Sequence, residues 1–183
     1  MSKTKFVAYK ERGFWAYDVA LDIFLKHLID AAEASDQKVQ PWLSSAISSW
    51  RVSCAPDCGL HFEADWSEAQ WRTFVTLAEE ACAALAARAS IPAEEIVRWE
   101  PFEGEPLFSR GATEVFTAPV VELGQAIIAL VSGQLPEAPE GHLWFYGTPA
   151  GRDKIGYRKS SVPPESRWTI FQKKVAVFLR SRK

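Results

Sequence analysis

Cys54, Cys58 and His61 are the residues whose types and spacing come closest to a metal site. Thiolate and imidazole are the usual ligands of zinc, and one short loop can deliver several of them. The spacing C-x3-C-x2-H supplies only three ligands, however, whereas a closed structural zinc site needs four. The third cysteine, Cys82, lies on the apolar stripe of a predicted helix. We therefore predict no metal site, no cofactor and no required disulfide.

The remaining patterns of catalytic type are nonspecific. A nucleophilic dyad could be drawn between several cysteine and histidine pairs, but no family signature surrounds any of these cysteines. Residues 147–154 resemble a phosphate loop only superficially, because they lack the spacing G-x-x-x-x-G-K-[ST]. Adjacent glutamates such as Glu79 and Glu80 lie in polar contexts that would desolvate neither carboxylate for acid–base work. An enzyme would therefore need a site assembled from scattered residues.

Charge is distributed unevenly along the chain. Residues 152–183 carry ten Lys and Arg against two Asp and Glu, a balance of +8, and residues 1–12 have a balance of +3 from four basic residues and one acidic residue. Residues 13–151 carry twenty acidic residues against seven basic ones, a balance of −13. The formal net charge of −2 thus conceals an acidic body between basic ends. Such a distribution predicts an oriented electrostatic surface that attracts a charged partner.

The charge pattern favours a protein partner over nucleic acid. Aromatic residues such as Trp144, Tyr157 and Trp168 lie among the cations of the C-terminal segment, and this combination suits single-stranded nucleic acid. The acidic body, with a pI of about 6.0 for the whole chain, would nevertheless repel a phosphate backbone over most of the surface. A nucleic-acid-associated regulator that uses the basic segment is kept as an alternative.

The function that fits these observations best is binding to another protein without catalysis. A plausible biological form is an antitoxin or immunity protein, because a small acidic inhibitor can neutralise a basic toxin through complementary fields and fast association. The two alternatives are an enzyme with a scattered site and the nucleic-acid-associated regulator. The eight tryptophans do not decide between them, since tryptophan is common both in cores and at interfaces.

The predicted partner surface is the acidic loop, residues 100–111, together with the residues that lead into it. Proline and glycine at positions 101, 104 and 106 keep this segment out of regular structure and hence near the surface. Trp99 and Phe102 lie among several glutamates, and an aromatic residue surrounded by charged residues is typical of an interface hot spot. The alternative is that these two aromatic residues pin the loop to the core. The predicted partner-binding residues are Glu95, Trp99, Glu100, Phe102, Glu103 and Glu105.

The elements that position these residues predict a single α+β domain, 1–183, dominated by helix. About five helices and a few short strands are expected, with a β-hairpin towards the C-terminus. The helices are predicted at 14–34, 42–50, 67–89, 118–132 and 165–181; the strands at 60–64 and 96–99; and the hairpin at 142–158, with its loop at 147–153.

Local signals support several of these elements. Ser67 and Gln70 form a capping-box pattern, in which each side chain satisfies a backbone donor of the other residue. Pro41 is predicted at the first turn of the second helix. Thr117 is predicted to cap the helix at 118–132, and Gly133 to end it. The first helix also carries an i, i+4 series predicted to be solvated: Asp18, Asp22 and Lys26.

Composition predicts a cytoplasmic protein that does not enter a membrane. The apolar fraction of 48% is ordinary for a globular chain, and no apolar stretch approaches the length of a membrane span. Residues 1–5 are basic but precede no apolar segment, which argues against a signal peptide. Three cysteines, an odd number, favour a reducing compartment.

Overall fold

A mixed five-stranded sheet organises the fold. The computed structural model describes residues 4–63, 65–102, 104–107 and 109–156. The elements in this part are β1 (Thr4–Tyr9), β2 (Arg12–Tyr17), α1 (Asp18–Ala34), a 3-10 turn (Asp36–Val39), α2 (Pro41–Ser53), β3 (Leu60–Phe62), α3 (Glu68–Ala86), β4 (Ser90–Pro92), α4 (Ala93–Ile96), β5 (Glu114–Phe116), α5 (Thr117–Val131), β6 (His142–Thr148) and β7 (Gly151–Gly156).

The hairpin of β1 and β2 forms the centre of the sheet. β1 and β2 pair antiparallel, β3 adds to β1 in parallel, and β6 adds to β2 in parallel. β7 pairs antiparallel with β6 and forms one edge, while β3 forms the other. The short strands β4 and β5 pair with each other in a separate antiparallel sheet.

The core lies between one face of the sheet and the helices. Val7, Phe14 and Leu60 are fully buried on their strands, and they belong to the same apolar cluster as the inward stripes of α1, α3 and α5. These three helices contact one another, and α5 also contacts β6 and β7. The predicted packing of these helices with the hairpin is therefore confirmed, as is the α+β class with more helix than strand. The predicted helix at 165–181 lies outside the described residues.

Several local predictions are confirmed by the hydrogen bonds. Ser67 Oγ accepts from the Gln70 backbone N–H at 3.3 Å, and Gln70 Oε1 accepts from the Ser67 N–H at 2.6 Å, so the capping box begins α3. Pro41 occupies the first turn of α2, and Gly133, at φ 73°, follows the end of α5. None of the helices in the described ranges is long and apolar enough to cross a bilayer.

The start of the predicted first helix is wrong. Residues 14–17 belong to β2, and helix α1 begins only at Asp18. Both faces of β2 carry large apolar residues, with Phe14 turned to the core and Trp15 against Phe6 on the opposite face. The alternation that marks a half-buried strand is therefore hidden, and a helical stripe can be drawn through the same residues.

The predicted strand at 96–99 is also wrong. Val97 N–H donates to the Ala93 carbonyl at 3.0 Å and Trp99 N–H to the Ile96 carbonyl at 3.0 Å, so the chain makes the short helix α4 and a turn. β-branched and aromatic residues favour strands in general, but no neighbouring strand pairs with this stretch in the part of the chain described.

Two further boundaries differ from prediction. Thr117 lies inside the first turn of α5 and Phe116 is the cap; Thr117 Oγ1 donates instead to the Ala89 carbonyl at 3.2 Å. The hairpin loop is shorter than predicted, because β6 runs to Thr148 and β7 starts at Gly151. A bulge between Phe145 and Thr148 absorbs the change of register.

Candidate functional site

The acidic loop is fixed to the body of the protein at several points. Leu107 is buried and its N–H donates to the Trp99 carbonyl at 3.0 Å. Arg51 Nη1, on α2, donates to the Pro101 carbonyl at 3.0 Å. Phe102 and Glu105 form an isolated β-bridge, in which Glu105 N–H donates to the Phe102 carbonyl at 2.8 Å. These contacts tie the described residues of the loop to the body of the protein.

The two aromatic residues of the predicted surface pack inward. Trp99 is partly buried against the core and meets the His27 ring edge-on, with 5.5 Å between ring centroids. Lys26 Nζ lies 5.3 Å from the centroid of the Trp99 ring. Phe102 is also partly buried against the core. These contacts support the alternative in which both aromatics pin the loop.

The carboxylates of the predicted surface differ from one another. Glu95 makes a bidentate ion pair with Arg88, at 2.6 and 2.7 Å, and the hydrogen bonds from Arg88 lower the pKa of Glu95. Glu100 and Glu105 are exposed. Glu103 lies outside the described residues. The structure therefore brings Glu100 and Glu105 to one exposed loop and leaves the charge of Glu95 neutralised by Arg88.

Buried charges lie beneath the acidic loop. Lys5 Nζ on β1 contacts Asp22 Oδ1 at 2.6 Å and the Ser53 carbonyl at 2.8 Å, and only 4% of the Lys5 side chain is exposed. Burial raises the pKa of Asp22 to about 7, although Lys5 acts in the opposite direction. Asp22 and Cys54 line a cavity of about 10 Å³ under the loop, which is room for about one water molecule.

A second ion pair stands at the start of α1. Asp18 accepts from Arg110 Nε at 3.1 Å, and Asp18 is buried. The predicted solvated series is thus wrong for Asp18 and Asp22, because both face partners from distant segments. Only Lys26 keeps a local partner, Asp30, four residues along the helix. The helical spacing is as predicted, but Asp18 and Asp22 pair with Arg110 and Lys5 from distant segments and are therefore largely buried.

The cysteines do not form a reactive group. Cys54, Cys58 and Cys82 are buried free thiols. Burial raises the pKa of all three thiols, and that of Cys82 reaches about 11. The thiolate form, which attacks substrates or binds metals, is therefore disfavoured. Within the described ranges, no three His, Cys, Asp or Glu side chains come together as a possible metal site.

His61 lines an unpredicted cleft at the β3 edge of the sheet, which we call the Trp cleft. Its volume is about 210 Å³, and its walls come from α2, β3 and the segment that leads into α3. Ser45, Ser49 and Gln70 contribute polar groups to the walls. The residues that define the Trp cleft are Trp42, Trp50, His61, Glu63, Asp65 and Trp66.

Local structure explains the position of each tryptophan. Trp42 lies in the first turn of α2, directly after Pro41, and Trp50 lies two turns further on. Trp66 immediately precedes the Ser67 cap, and its ring meets Trp71, four residues after that cap, at 4.7 Å. This contact is a hydrophobic staple, which fixes the direction from which the chain enters a helix.

The rings join into one aromatic cluster with a buried floor. The Trp42 ring meets the Trp66 ring edge-on, with 5.4 Å between ring centroids, and the Trp50 ring packs against that of Phe74, with 5.9 Å between centroids. Trp50 is 1% exposed, whereas Trp42 and Trp66 are half-buried. Two tryptophans therefore stand at the mouth of the Trp cleft, supported from below by the core.

The electrostatics of the Trp cleft are negative. Glu63 and Asp65 are exposed, and neither makes an ion pair with any residue that the structure describes. Burial lowers the pKa of His61 to about 4, so its imidazole is uncharged at neutral pH. No lysine or arginine belongs to the described lining. The cleft can therefore offer two carboxylates and two ring surfaces to a cation.

Sequence reasoning considered His61 as a metal ligand or as the partner of a nucleophilic cysteine, and it did not single out Glu63, Asp65 or the tryptophans around them as a site. Two signals were present: four of the eight tryptophans fall between positions 42 and 71, and two carboxylates precede Trp66. The chain matches no known protein-family model, no curated protein and no solved structure.

Proposed function

We propose that this chain is a non-catalytic protein-binding protein, of the antitoxin or immunity type, that neutralises a basic partner through an acidic surface. The observation that carries the proposal is the mouth of the Trp cleft, where Trp42 and Trp66 are half-exposed beside Glu63 and Asp65. Tryptophan is enriched among the residues that dominate binding energy at protein interfaces. Nearby carboxylates without partners in the described chain add a field that would speed encounter with a basic protein.

The dimensions and chemistry of the Trp cleft favour binding over catalysis. Its volume of about 210 Å³ is below the ~300–1,000 Å³ usual for small-molecule sites. A general base works best when its pKa lies near the working pH, and the pKa of His61 is about 4. The buried cysteines favour the neutral thiol. These features support a contact surface more than the alternative of an enzyme with a scattered site.

Negative charge also argues against nucleic acid at this surface. Glu63 and Asp65 would repel a phosphate backbone, and the backbone contacts supply much of the affinity in such complexes. The regulator alternative depends on the basic segment 152–183, of which residues 157–183 lie outside the described residues. Three free buried thiols suit the proposed cytoplasmic location, where disulfides are rare.

The acidic loop is proposed as a secondary contact. Glu100 and Glu105 are exposed and would contribute to long-range attraction, whereas Trp99 and Phe102 fix the loop to the core. Charge at the rim of an interface acts mainly on the association rate. The Trp cleft is expected to govern dissociation and the acidic loop to assist encounter.

The test begins with capture of the partner from the native host, its identification and its purification. Association and dissociation rates are then measured for the wild type and for the double variant Glu63→Lys/Asp65→Lys. The matched control is Glu79→Lys/Glu80→Lys, because these two glutamates are exposed on α3 and are outside the cleft lining. Circular dichroism and thermal unfolding confirm that both variants fold.

The proposal expects the cleft variant to associate with a basic partner at least about tenfold more slowly at low salt, and to show a weaker salt dependence. The control should change far less. If the partner is a toxin, its activity should fall in proportion to the bound fraction. Equal losses in the two double variants, or a bound partner with undiminished activity, would contradict the specific surface or the inhibitory role, respectively.

A further inference from the structure

We infer that the Trp cleft is a receptor for a single arginine side chain of the partner. This inference rests on the proposed function and gives the cleft a chemical ligand. Trp42 and Trp66 supply ring surfaces, and Glu63 and Asp65 supply acceptors for the guanidinium donors. A guanidinium is planar, stacks on aromatic rings and donates two parallel hydrogen bonds to a carboxylate, so it suits both walls at once.

The aromatic part of the argument comes from a contrast within the chain. Two other half-buried tryptophan rings already hold a cation: Lys26 Nζ lies 5.3 Å from the centroid of the Trp99 ring, and the guanidinium carbon of Arg152 lies 4.5 Å from that of Trp144. No lysine or arginine of the described ranges lies over Trp42 or Trp66. These two rings are therefore available to a cation from outside the described chain, and such a cation gains most over tryptophan.

The carboxylate part of the argument is independent of the rings. Two carboxylates with little exposure have a cationic partner within the chain: Asp18 has Arg110, and Asp22 has Lys5. Glu63 and Asp65 have no ion-pair partner among the residues that the structure describes, although both line the same cleft. Two acceptors that share a cleft with aromatic rings complement a cation and disfavour an anion.

A metal ion does not fit this cleft equally well. His61, Glu63 and Asp65 share the lining, but they do not approach one another as a group that could hold a metal, within the ranges that the structure describes. Divalent cations such as calcium and magnesium require several oxygen ligands at short distances. An organic cation needs only proximity to the rings and one or two hydrogen bonds.

The inference is tested by nuclear magnetic resonance on the full chain labelled with ¹⁵N. The probe is N-acetyl-arginine amide, and the matched neutral probe is N-acetyl-citrulline amide, which has nearly the same shape without the charge. N-acetyl-lysine amide serves as a second cation. The indole N–H resonances are assigned with Trp42→Phe and Trp66→Phe, and each tryptophan then reports its own surroundings.

The expected result is that the arginine probe shifts the Trp42 and Trp66 resonances and leaves that of Trp99 unchanged. The arginine probe should bind at least about threefold more tightly than the citrulline probe, the size expected for an exposed charge contact. The double variant Glu63→Gln/Asp65→Asn should remove this preference. The control Glu79→Gln/Glu80→Gln should retain it.

Three results would overturn the inference: equal binding of the arginine and citrulline probes, absence of shifts at Trp42 and Trp66, or a charge preference that persists in Glu63→Gln/Asp65→Asn. Equal binding of the arginine and lysine probes would overturn the choice of guanidinium. If the probes fail but Glu63→Lys/Asp65→Lys still slows association with the captured partner, the proposed function stands alone. If arginine binds but that variant associates normally, the proposed partner surface falls and the arginine site remains.

Discussion

The acidic loop with its approach and the Trp cleft both combine tryptophan with carboxylates, but they differ in whether these groups have a cationic partner within the described chain. In the acidic loop and its approach, Trp99 has Lys26 over its ring and Glu95 is paired with Arg88. In the Trp cleft, Trp66 and Glu63 have no such cation in the described chain. An aromatic residue beside a carboxylate is therefore not in itself a sign of a binding surface.

The difference suggests a criterion for distinguishing structural residues from candidate binding residues, namely whether a cation of the described chain already pairs with the group. In the approach to the acidic loop, Trp99 and Glu95 have cationic partners within the chain and contribute to its stability, whereas Glu100 and Glu105 on the loop itself are exposed. At the cleft, Trp66 and Glu63 lack a cationic partner within the described chain, and under the proposed function we expect them to contribute to binding. Mutations at Trp99 or Glu95 should accordingly change the free energy of unfolding, and mutations at the Trp cleft should change the affinity for the proposed partner.

The largest expected effect is on the buried pair beneath the acidic loop. Lys5→Met leaves Asp22 as an uncompensated buried carboxylate, and we expect a loss of about 3–5 kcal/mol in the free energy of unfolding at pH 8. The folded pKa of Asp22, about 7, lies above its ordinary value of 3.8, so the Asp22 contribution to stability is present at low pH and is lost as pH rises through 7. The Lys5→Met loss should therefore be smaller at pH 5.5.

Urea unfolding at the two pH values measures this effect. The control is Lys26→Met, which removes the more exposed ion pair between Lys26 and Asp30 on α1. Loss of this ion pair should lower the free energy of unfolding by less than about 1 kcal/mol, apart from any loss due to the Lys26 contact with the Trp99 ring. Identical losses for Lys5→Met at pH 5.5 and pH 8 would show that the Asp22 carboxyl group does not take up a proton when Lys5 is removed.

The next effect concerns the apolar anchor of the acidic loop. Leu107 is 4% exposed, and Leu107→Ala should cost about 2–4 kcal/mol of unfolding free energy because it leaves a cavity beneath the loop. Glu105→Gln, an exposed change two residues away, should stay within about 0.5 kcal/mol. A mild Leu107→Ala would mean that the loop is held by its polar contacts instead, and chemical denaturation of the two variants decides this.

A third effect distinguishes the cleft by its dependence on pH. Burial lowers the folded pKa of His61 to about 4, below the unfolded value of 6.5, so the unfolded chain takes up a proton first. The stability contribution of neutral His61 is complete above pH 6.5 and is lost as pH falls towards 4. His61→Gln should flatten the stability profile over this range, by at most about 1.4 kcal/mol per pH unit. Thermal unfolding between pH 4 and 7 measures the slopes, and parallel slopes for the two proteins would contradict the assignment.

The smallest effect compares one carboxylate from each region. Glu95→Gln breaks the bidentate pair with Arg88, and we expect a loss of about 0.5–1 kcal/mol that shrinks at high salt. Glu63→Gln removes a charge without an ion-pair partner in the described chain, and its stability should stay within about 0.5 kcal/mol of the wild type. If Glu63→Gln proved as costly as Glu95→Gln, the contrast between the two regions would disappear.

Prediction from sequence succeeded where the signals were local. The capping box of Ser67 and Gln70 and the first-turn proline of α2 depend on residues within four positions of each other. It predicted no element over β1, where Lys5 resembles a solvated residue until its distant partner Asp22 is known. It failed at residues 14–17 because large apolar side chains on both faces hide the period of a strand.

The Trp cleft could not be assembled from sequence for the same reason. Trp42, His61 and Trp66 come from three segments, and only the packing of α2 beside the β3 edge brings them together. The acidic loop was located correctly, since prolines and glycine mark it locally. Its inward-facing Trp99 and the Arg88 partner of Glu95 depend on tertiary contacts that no local pattern reveals.

The order of the strands has a consequence for how the chain is made. The central hairpin, β1 and β2, is synthesised well before its neighbour β6, which begins only at His142. An isolated hairpin is marginally stable, and the open edge of β2 can pair with another chain until β6 arrives. We expect fragments that stop before His142 to aggregate, and the nascent protein to need shielding on the ribosome until β6 has emerged.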